Sequence, residues 1–357
     1  MRQIDQDNFI IRQSDPILVT GATGFIGCKL VEKLLDMGFV NLRCLGRPSG
    51  HAQKLEVLCE ARRDGGGVSL IKGNLLSKQD CAAATKDVAV IFHLAAGRGE
   101  KSFPDAFMNS VVTTRNLLDA SVEHSRLRRF VNVSSYTVYS NTRKPHGRLL
   151  DEAGPVETHP ELRGEAYCFA KVKQDEIVVD YGRRCGIPYV IVRPGYVYGP
   201  GKKNITGRVG VDTFGLFVHL GGSNKVPFTY LDNCAEAIAL AGLKAGVDGE
   251  IFNIVDDDLP SSRQFLRQYK REVRYFRSIY LPHGVSYALC YLWERYSLWS
   301  ERQLPPVFSR KEWHASWKKT CYSNEKAKVQ LGWRPSVSTA EGLRRYFEAC
   351  RGGSRDA

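Results

Sequence analysis

The sequence predicts a doubly wound α/β fold, in which a parallel sheet is covered by helices on both faces. Short apolar runs rich in β-branched residues recur along the first two thirds of the chain, and helix-length stretches separate them. Residues 201–228 and 259–357 depart from this alternation, so we expect them to form a smaller, mostly helical substrate-binding region. Residues 1–200, joined again by residues 229–258, would then form the sheet domain.

Seven apolar runs supply the strands of the predicted sheet. Their apolar character is nearly continuous, which is typical of strands buried on both faces. They occupy residues 17–20, 42–45, 68–71, 88–92, 129–133, 189–193 and 250–254. After the first run, apolar residues recur at helical spacing and predict a helix over residues 25–37.

Composition and charge limit the classes of function. A chain of 357 residues with 43% hydrophobic residues can bury a substantial core. The net charge of +13 is concentrated in residues 261–357, where 19 lysines and arginines face 8 acidic residues, and this favours an anionic ligand or an acidic membrane surface. No nucleic-acid-binding motif is present, so we expect no nucleic acid partner. The ten cysteines form no Cys-x-x-Cys pair, so we expect neither a metal site nor a disulfide framework.

The first residues do not resemble a targeting signal. Residues 1–16 carry Asp5, Asp7 and Asp15 and lack the apolar centre of a secretory signal. No run reaches the roughly 20 apolar residues that a membrane-spanning helix needs. We therefore expect a cytoplasmic protein, with association at a membrane surface left open.

Three evenly spaced glycines follow the first predicted strand. Gly21 allows a tight turn, Gly24 lets the backbone approach a pyrophosphate, and Gly27 lets the next helix pack closely on the strand. The amides at the start of that helix would face the phosphates. The pattern predicts a Rossmann-type dinucleotide site, whose turn also contains Thr23, Phe25 and Ile26.

The end of the second predicted strand bears on the choice of cofactor. NAD recognition usually places a carboxylate there, on the ribose 2′-hydroxyl. This chain has Gly46, which leaves room for a 2′-phosphate, followed by Arg47, which can pair with one. We expect NADP, with NAD as the alternative because an arginine in a loop is often only solvated.

Further motifs follow the glycine turn in a fixed order. They are GNLLS at 73–77, HLAA at 93–96, NSVVTTRNLLDA at 109–120, VSSYTVYS at 133–140, YCFAK at 167–171 and RPGYVYGPG at 193–201. Together they resemble the extended short-chain dehydrogenase/reductase superfamily, also called the NAD-dependent epimerase/dehydratase family. The resemblance covers nearly the whole chain, and Asn74 departs from it by replacing an aspartate.

This resemblance implies further contacts with the dinucleotide. It places the GNLLS motif near the adenine and the HLAA motif beside the nicotinamide ribose. The implied cofactor-binding residues are Asn74, Leu75, Leu94, Ala95, Ala96, Asn109, Tyr167, Lys171, Pro194 and Val197. Asn109 could equally be a plain helix N-cap. We expect His93 to be a packed residue at a strand end.

The residues that would carry the chemistry are Ser135, Tyr167 and Lys171. The last two are four residues apart, hence on one helix face, where the ammonium group stabilises the ionised phenol. Tyr167 could then exchange a proton with an alcohol or carbonyl, and Ser135 would orient the same substrate oxygen. The resemblance implies this catalytic triad. A surface helix pair and a turn serine are the plain alternatives.

The segment at residues 221–237 bears on the substrate. Nucleotide-sugar members of the family tend to carry an Arg-Asp pair where this chain has Val226 and Pro227. The segment looks more like that of 3β-hydroxysteroid dehydrogenase-like members. We therefore expect hydride transfer between a secondary alcohol and a ketone on a hydrophobic, sterol-, isoprenoid- or lipid-like substrate.

Two other functions stay open. Lys202, Lys203 or Arg208 could bind the diphosphate in place of the missing arginine, which would suit a nucleotide-sugar epimerase. A dehydratase is disfavoured because Tyr136 and Thr137, rather than a carboxylate, follow Ser135. A non-catalytic dinucleotide sensor would not need the triad residues.

Residues 278–299 are apolar and aromatic around most of a helical circumference. Six lysines and arginines precede them in residues 263–277. Peripheral membrane contact through residues 263–299 is one interpretation, and a buried helix of the small region is the other. Similar proteins are often homodimers, so a homodimer is a further hypothesis.

Overall fold

The computed structural model describes residues 8–46, 55, 67–96, 102–123, 126–140, 147–163, 165–213, 215–300 and 309–352. The strands of that part of the chain are β1 (Ile17–Thr20), β2 (Asn41–Gly46), β3 (Gly67–Lys72), β4 (Val90–His93), β5 (Arg129–Val133), β6 (Leu149–Leu150), β7 (Tyr189–Pro194), β8 (Tyr196–Tyr198), β9 (Gly210–Thr213), β10 (Leu216–His219), β11 (Phe228–Tyr230), β12 (Ile251–Ile254), β13 (Ser278–Tyr280) and β14 (Cys321–Tyr322).

The α-helices of the described ranges are α1 (Phe25–Asp36), α2 (Lys78–Thr85), α3 (Phe103–Ala106), α4 (Thr113–Val122), α5 (Ala166–Cys185), α6 (Leu231–Leu243), α7 (Ser262–Glu272), α8 (His283–Trp299), α9 (Arg310–Ser316) and α10 (Thr339–Gly352). Short π-helical turns cover Phe107–Val112 and Ala327–Leu331, and 3₁₀ turns cover Tyr136–Val138 and Pro160–Arg163.

A seven-stranded parallel sheet forms the centre of the molecule, in the order β12-β7-β5-β4-β1-β2-β3. All seven predicted strands are present, with small shifts at their ends, and the doubly wound α/β class is confirmed. The strand order reverses between β1 and β4. In open sheets of this kind, ligands bind at the carboxyl ends of the strands beside such a reversal.

Successive side chains of the central strands enter two different cores. Val19 of β1 packs into the core that α1 and α6 cover, together with Leu34 and Ile238. Its neighbour Leu18 packs on the opposite face with Leu117 and Val178, of α4 and α5. Because side chains alternate along a strand, this division shows that helices cover both faces of the sheet.

The smaller region contains a sheet that the sequence did not predict. Strands β9 and β10 pair in antiparallel fashion, and β13 pairs with β10 in parallel. Residues 201–228 therefore form one sheet with a strand that lies much later in the chain. Strands of three or four residues are too short to show a clear period in the sequence.

The described ranges contain neither a membrane-spanning helix nor a cluster of metal ligands. No helix there combines the length and the hydropathy that crossing a bilayer requires. No group of three or more His, Cys, Asp or Glu side chains in those ranges is arranged to hold a metal ion.

A buried ion pair joins helix α5 to the sheet. Arg193 of β7 donates from Nη2 to Oδ2 of Asp175 at 2.9 Å, and Asn132 of β5 donates to Oδ1 at 2.8 Å. Both charged side chains are buried. Burial raises the pKa of Asp175, and the charge of Arg193 opposes that shift. Asp175 lies one helical turn after Lys171, so the pair anchors the segment of α5 that carries it.

Replacement of Asp175 should destabilise the fold. In Asp175→Asn the Arg193 guanidinium would stay buried without its counter-charge, and losing one partner of a buried pair costs about 3–5 kcal/mol. Urea denaturation should show this loss in the free energy of unfolding. Asp180→Asn, on the same helix, removes only an exposed pair with Arg184 and should leave the midpoint almost unchanged. An Asp175→Asn protein as stable as the parent would show that the pair does not anchor α5.

Candidate active site

A cleft of about 1260 Å³ opens at the carboxyl ends of β1, β4, β5 and β7. Every predicted site residue that the structure describes lines it. These residues are Gly21, Thr23, Gly24, Phe25, Ile26, Gly27, Asn74, Leu75, Leu94, Ala95, Ala96, Asn109, Ser135, Tyr167, Lys171, Pro194 and Val197. Arg47 lies outside the described residues.

The glycine turn brings the backbone of α1 unusually close to β1. A Cβ atom on Gly27 would lie 2.1 Å from the carbonyl oxygen of Gly21, and one on Gly21 would lie 2.9 Å from the backbone nitrogen of Ala95. Gly21 also has a φ of +70°, which side chains disfavour. Only glycine fits either position.

The start of α1 suits a phosphate group. Its N-cap is Gly24, which offers no side chain, and its first turn carries no acidic residue. The first amide groups of a helix lack intrahelical acceptors, and the helix dipole adds partial positive charge there. The residues of this turn therefore fit a dinucleotide pyrophosphate, as the sequence predicts.

The end of β2 and the turn after β3 also line the cleft. Gly46, the last residue of β2, lines the cleft without a side chain. Asn74 accepts a hydrogen bond from the Leu76 amide at 3.1 Å, and its own amide donates to Asp80 at 2.7 Å. Asn74 thus stabilises its own turn while facing the cleft.

His93 lies at the end of β4 in a fully packed network. Its Nδ1 lies 2.8 Å from the Thr20 hydroxyl, and its Nε2 lies 2.9 Å from the Thr114 hydroxyl. Burial, with a smaller contribution from Lys171, lowers the pKa of His93 to about 3, so the ring is neutral. Thr20 also accepts from the Ala95 amide at 3.3 Å. As expected, His93 is a packing residue, and it holds the HLAA segment in place.

The three residues of the predicted triad lie on adjacent structural elements. Tyr167 is the second residue of α5, and 39% of it is exposed at the cleft. Lys171 is buried one turn later, where Nζ donates to the Val133 carbonyl at 2.8 Å and lies 6.0 Å from the centre of the Tyr167 ring. Ser135 caps the 3₁₀ turn, accepting from the Thr137 amide at 3.2 Å. The cleft therefore gathers a phenol, an ammonium and a hydroxyl group.

Asn109 does not cap a helix. It lies inside the π-helical turn between α3 and α4, where its side-chain amide donates to the Asp105 carbonyl at 3.0 Å. The cap of α3 is Ser102, which accepts from the Asp105 amide at 3.2 Å. The N-cap alternative is therefore wrong. Single π-helical turns occur often at functional sites, and this one places Asn109 at the cleft.

A charged cluster at the other end of the cleft was not predicted. The buried Arg163 donates to Glu312 at 2.8 Å, and its Nη2 lies 3.1 Å from Glu165. Arg163 also donates to the Thr137 carbonyl at 2.5 Å, and the Thr137 hydroxyl donates to Glu165 at 3.3 Å. Burial raises the pKa of Glu165 while Arg163 opposes the shift. Arg163 and Glu165 could have been predicted from the sequence, because two opposite charges directly precede the helix that carries Tyr167 and Lys171. The residues around Glu312 in the sequence give no such indication.

Aromatic and cationic residues complete this end of the cleft. Trp317 follows α9, and Tyr196 begins β8. Lys202 lies above the Tyr196 ring, 4.2 Å from its centre, and Arg208 donates to the Ala315 carbonyl at 3.0 Å. Val226, at the position where nucleotide-sugar enzymes tend to carry an arginine, is buried in the core of the smaller region.

The fold and the cleft define a Rossmann-type dinucleotide-binding protein. The sequence profile of the NAD-dependent epimerase/dehydratase family matches residues 17–255, and the chain belongs to this family, part of the extended short-chain dehydrogenase/reductase superfamily. The family is enzymatic and NAD(P)-dependent.

Two curated relatives match almost the whole chain. One is 3β-hydroxysteroid-dehydrogenase/decarboxylase isoform 1 of Arabidopsis thaliana, 26% identical over 93% of this chain and 79% of its own length. The other is 2-alkyl-3-oxoalkanoate reductase of Stenotrophomonas maltophilia, 27% identical over 92% of this chain and 97% of its own length. A solved structure of UDP-glucuronic acid 4-epimerase from Bacillus cereus, in complex with NAD, shares the fold, with a TM-score of 0.69, 21% identity, and coverage of 94% and 99% of the two chains.

Adding one methyl group at Gly27 should disrupt the dinucleotide site. In Gly27→Ala the new Cβ would push α1 away from the Gly21 carbonyl and misplace the amides at the helix start. We expect binding of NADPH or NADH, measured by fluorescence titration, to weaken at least about tenfold, since a lost charge-assisted hydrogen bond alone is worth about 1.5–3 kcal/mol. Gly284→Ala, a helical glycine with open space around it, is the control. Equal affinities of the two variants would contradict the assignment of the turn.

Proposed function

We propose that the protein is an NAD(P)-dependent oxidoreductase that interconverts a secondary alcohol and a ketone on a hydrophobic, sterol-, isoprenoid- or lipid-like substrate. The observation that carries this proposal is that Ser135, Tyr167 and Lys171 line the same cleft as the glycine turn. A protein that only senses a dinucleotide would need the turn but not this set of side chains.

The triad residues have separate roles in the proposed reaction. The nicotinamide of the bound dinucleotide supplies hydride exchange with the substrate carbon. When the alcohol is oxidised, Tyr167 accepts its hydroxyl proton, and when the ketone is reduced, Tyr167 returns that proton to the oxygen. Ser135 donates a hydrogen bond to the same oxygen and orients it. Lys171, fixed by the Val133 carbonyl, stabilises the ionised phenol through its charge.

Several features favour a hydrophobic substrate. Val226 is buried and cannot grip a diphosphate. Arg163 lies between two carboxylates, so its charge is already compensated. We call the part of the cleft near Arg163 and Glu312 the substrate end. Trp317, Tyr196 and Val211 offer apolar surface there. Two of the relatives that match more than nine tenths of the chain carry names that refer to a hydroxysteroid and to an alkyl oxoalkanoate.

A nucleotide-sugar epimerase is the second candidate. Lys202 and Arg208 both line the substrate end of the cleft, where they could replace the missing arginine in binding a diphosphate. In that reaction Tyr167 would take the proton of a sugar hydroxyl group while the bound NAD would accept the hydride of the same carbon, and both would then be returned, the hydride to the other face of the sugar. The dinucleotide would then be retained rather than exchanged.

A substrate panel tests the two candidates together. Purified protein should oxidise NADPH or NADH with long-chain or steroid ketones, and it should not epimerise UDP-glucose or UDP-glucuronic acid in the presence of NAD. Epimerisation without ketone reduction would replace our proposal with the second candidate.

Tyr167→Phe should lower turnover by at least about 100-fold, the usual contribution of a general acid–base group, while dinucleotide affinity stays nearly unchanged. Tyr181→Phe removes a hydroxyl group on the same helix that is bound to Asp119, and it should stay active.

We also propose that NADP is preferred over NAD. The bare end of β2 at Gly46 leaves room for a 2′-phosphate, and Arg47 follows directly in the sequence. Arg47→Ala should weaken NADPH binding at least about tenfold, in the range of a lost charge-assisted contact, and change NADH binding little. Isothermal titration calorimetry with NADPH and with NADH measures the two dissociation constants. Equal weakening of the two would refute the assignment of Arg47 to the 2′-phosphate.

A further inference from the structure

Helix α8 turns its large apolar side chains towards solvent. Its buried residues are the small Ser286, Cys290 and Ser297. Leu292 is 59% exposed and Trp299 78% exposed. A surface helix normally buries its apolar side and exposes its polar side. In α8 this arrangement is reversed.

The exposed apolar residues form a continuous stripe. Val285, Leu289, Leu292, Tyr296 and Trp299 recur every three or four positions, so they share one side of the helix. Tyr275, which is 81% exposed, and Ile279 of β13, which is 55% exposed, are further exposed apolar residues shortly before the helix in the chain. We call the outer face the set Val285, Leu289, Leu292, Tyr296 and Trp299. A patch of this kind commonly marks an interaction site.

Exposed arginines are frequent in the chain segment that contains the outer face. The exposed ones in this part of the chain are Arg263, Arg267, Arg271, Arg274, Arg277 and Arg295. The Arg263 guanidinium lies 5.1 Å from the centre of the Tyr280 ring. The two acidic residues between positions 263 and 300 are each paired: Glu272 with Arg271 at 2.7 Å and Glu294 with Arg310 at 2.6 Å. The chain segment at residues 263–300, which contains the outer face, therefore carries an excess of positive charge.

The outer face lies one helix away from the substrate end of the cleft. On the inner side of α8, Ser286 accepts a hydrogen bond from the Trp313 indole at 2.9 Å, and the Tyr287 ring lies 5.1 Å from that of Trp313. Trp313 belongs to α9, whose last residue, Ser316, lines the cleft together with Trp317. A surface that binds the outer face is thus close to the cleft.

We infer that the outer face docks the protein on an anionic lipid surface. Exposed leucine and valine side chains would enter the boundary between headgroups and acyl chains, and Tyr296 and Trp299 suit the headgroup level. The arginines would bind anionic headgroups. A second copy of the chain is a poorer occupant, because a two-fold interface brings identical surfaces together and would place the arginines against each other. The inference concerns a surface outside the catalytic cleft and does not depend on the reaction.

Vesicle sedimentation of the full chain tests this inference. The protein should bind vesicles of phosphatidylcholine with about one third phosphatidylserine, bind phosphatidylcholine alone more weakly, and lose affinity as salt is added, because screening weakens the arginine contribution. The double variant Leu292→Asp, Trp299→Asp should bind the mixed vesicles at least about tenfold more weakly, since it removes apolar insertion and adds negative charge. Absence of binding by the parent protein would overturn the inference.

The control variant is Val329→Asp, which changes another highly exposed apolar residue outside the outer face. It should bind the vesicles as the parent does, and all three proteins should keep the same unfolding midpoint and the same NADPH affinity. If the double variant also bound like the parent, the outer face would not be the docking surface. Analytical ultracentrifugation gives the oligomeric state of the parent and the double variant. If the parent were a dimer and the double variant a monomer, and both bound vesicles equally, the outer face would be a protein interface.

Discussion

The structure depends on the close approach of two backbone segments at the start of the sheet. The helix after β1 can rest on the turn only because Gly27 has no Cβ atom to meet the Gly21 carbonyl. This contact fixes the direction of α1 and therefore the direction in which its first amides point. The same turn touches the backbone at Leu94 and Ala95, so β4 is set against it as well. The geometry of the phosphate site is thus decided by main-chain packing and not by any functional side chain.

The part of the cleft that Ser135, Tyr167 and Lys171 line relies on a different principle, buried polar contacts between structural elements. Lys171 is held by the end of β5, and Asp175 on the same helix is held by Arg193 of β7. His93 joins β1 to α4 through two threonines and stays uncharged. Each contact spans two elements of the sheet domain. Helix α5 is therefore positioned with little freedom, which the proposed proton transfer by Tyr167 would require.

The sequence allowed the central sheet and most of the residues that line the cleft to be predicted, for physical reasons. Strands buried on both faces must be apolar throughout, so they stand out as continuous runs, and glycines that cannot carry a Cβ mark the turn. The small sheet of β9, β10 and β13 was missed because its strands are too short to show a period. Glu312 was missed because it meets Arg163 from 149 positions away. Residues 278–299 were ambiguous because a helix that is apolar around most of its circumference does not reveal which side faces the core. The roles of the site residues and the limits of the domains stay predictions.

The bridge from Glu312 through Arg163 to Glu165 has a consequence for how the enzyme could diversify. The residues predicted to contact the dinucleotide lie in chain segments that end at Val197, whereas Ser316 of α9 and Trp317, which line the same cleft, come more than a hundred residues later. Substitutions in the late segment can reshape what the cleft admits without disturbing the early segment. The bridge is one of the contacts that join the two segments, so it sets a limit on that independence. A new specificity can be built by exchanging the late wall, provided that its replacement keeps a carboxylate opposite Arg163.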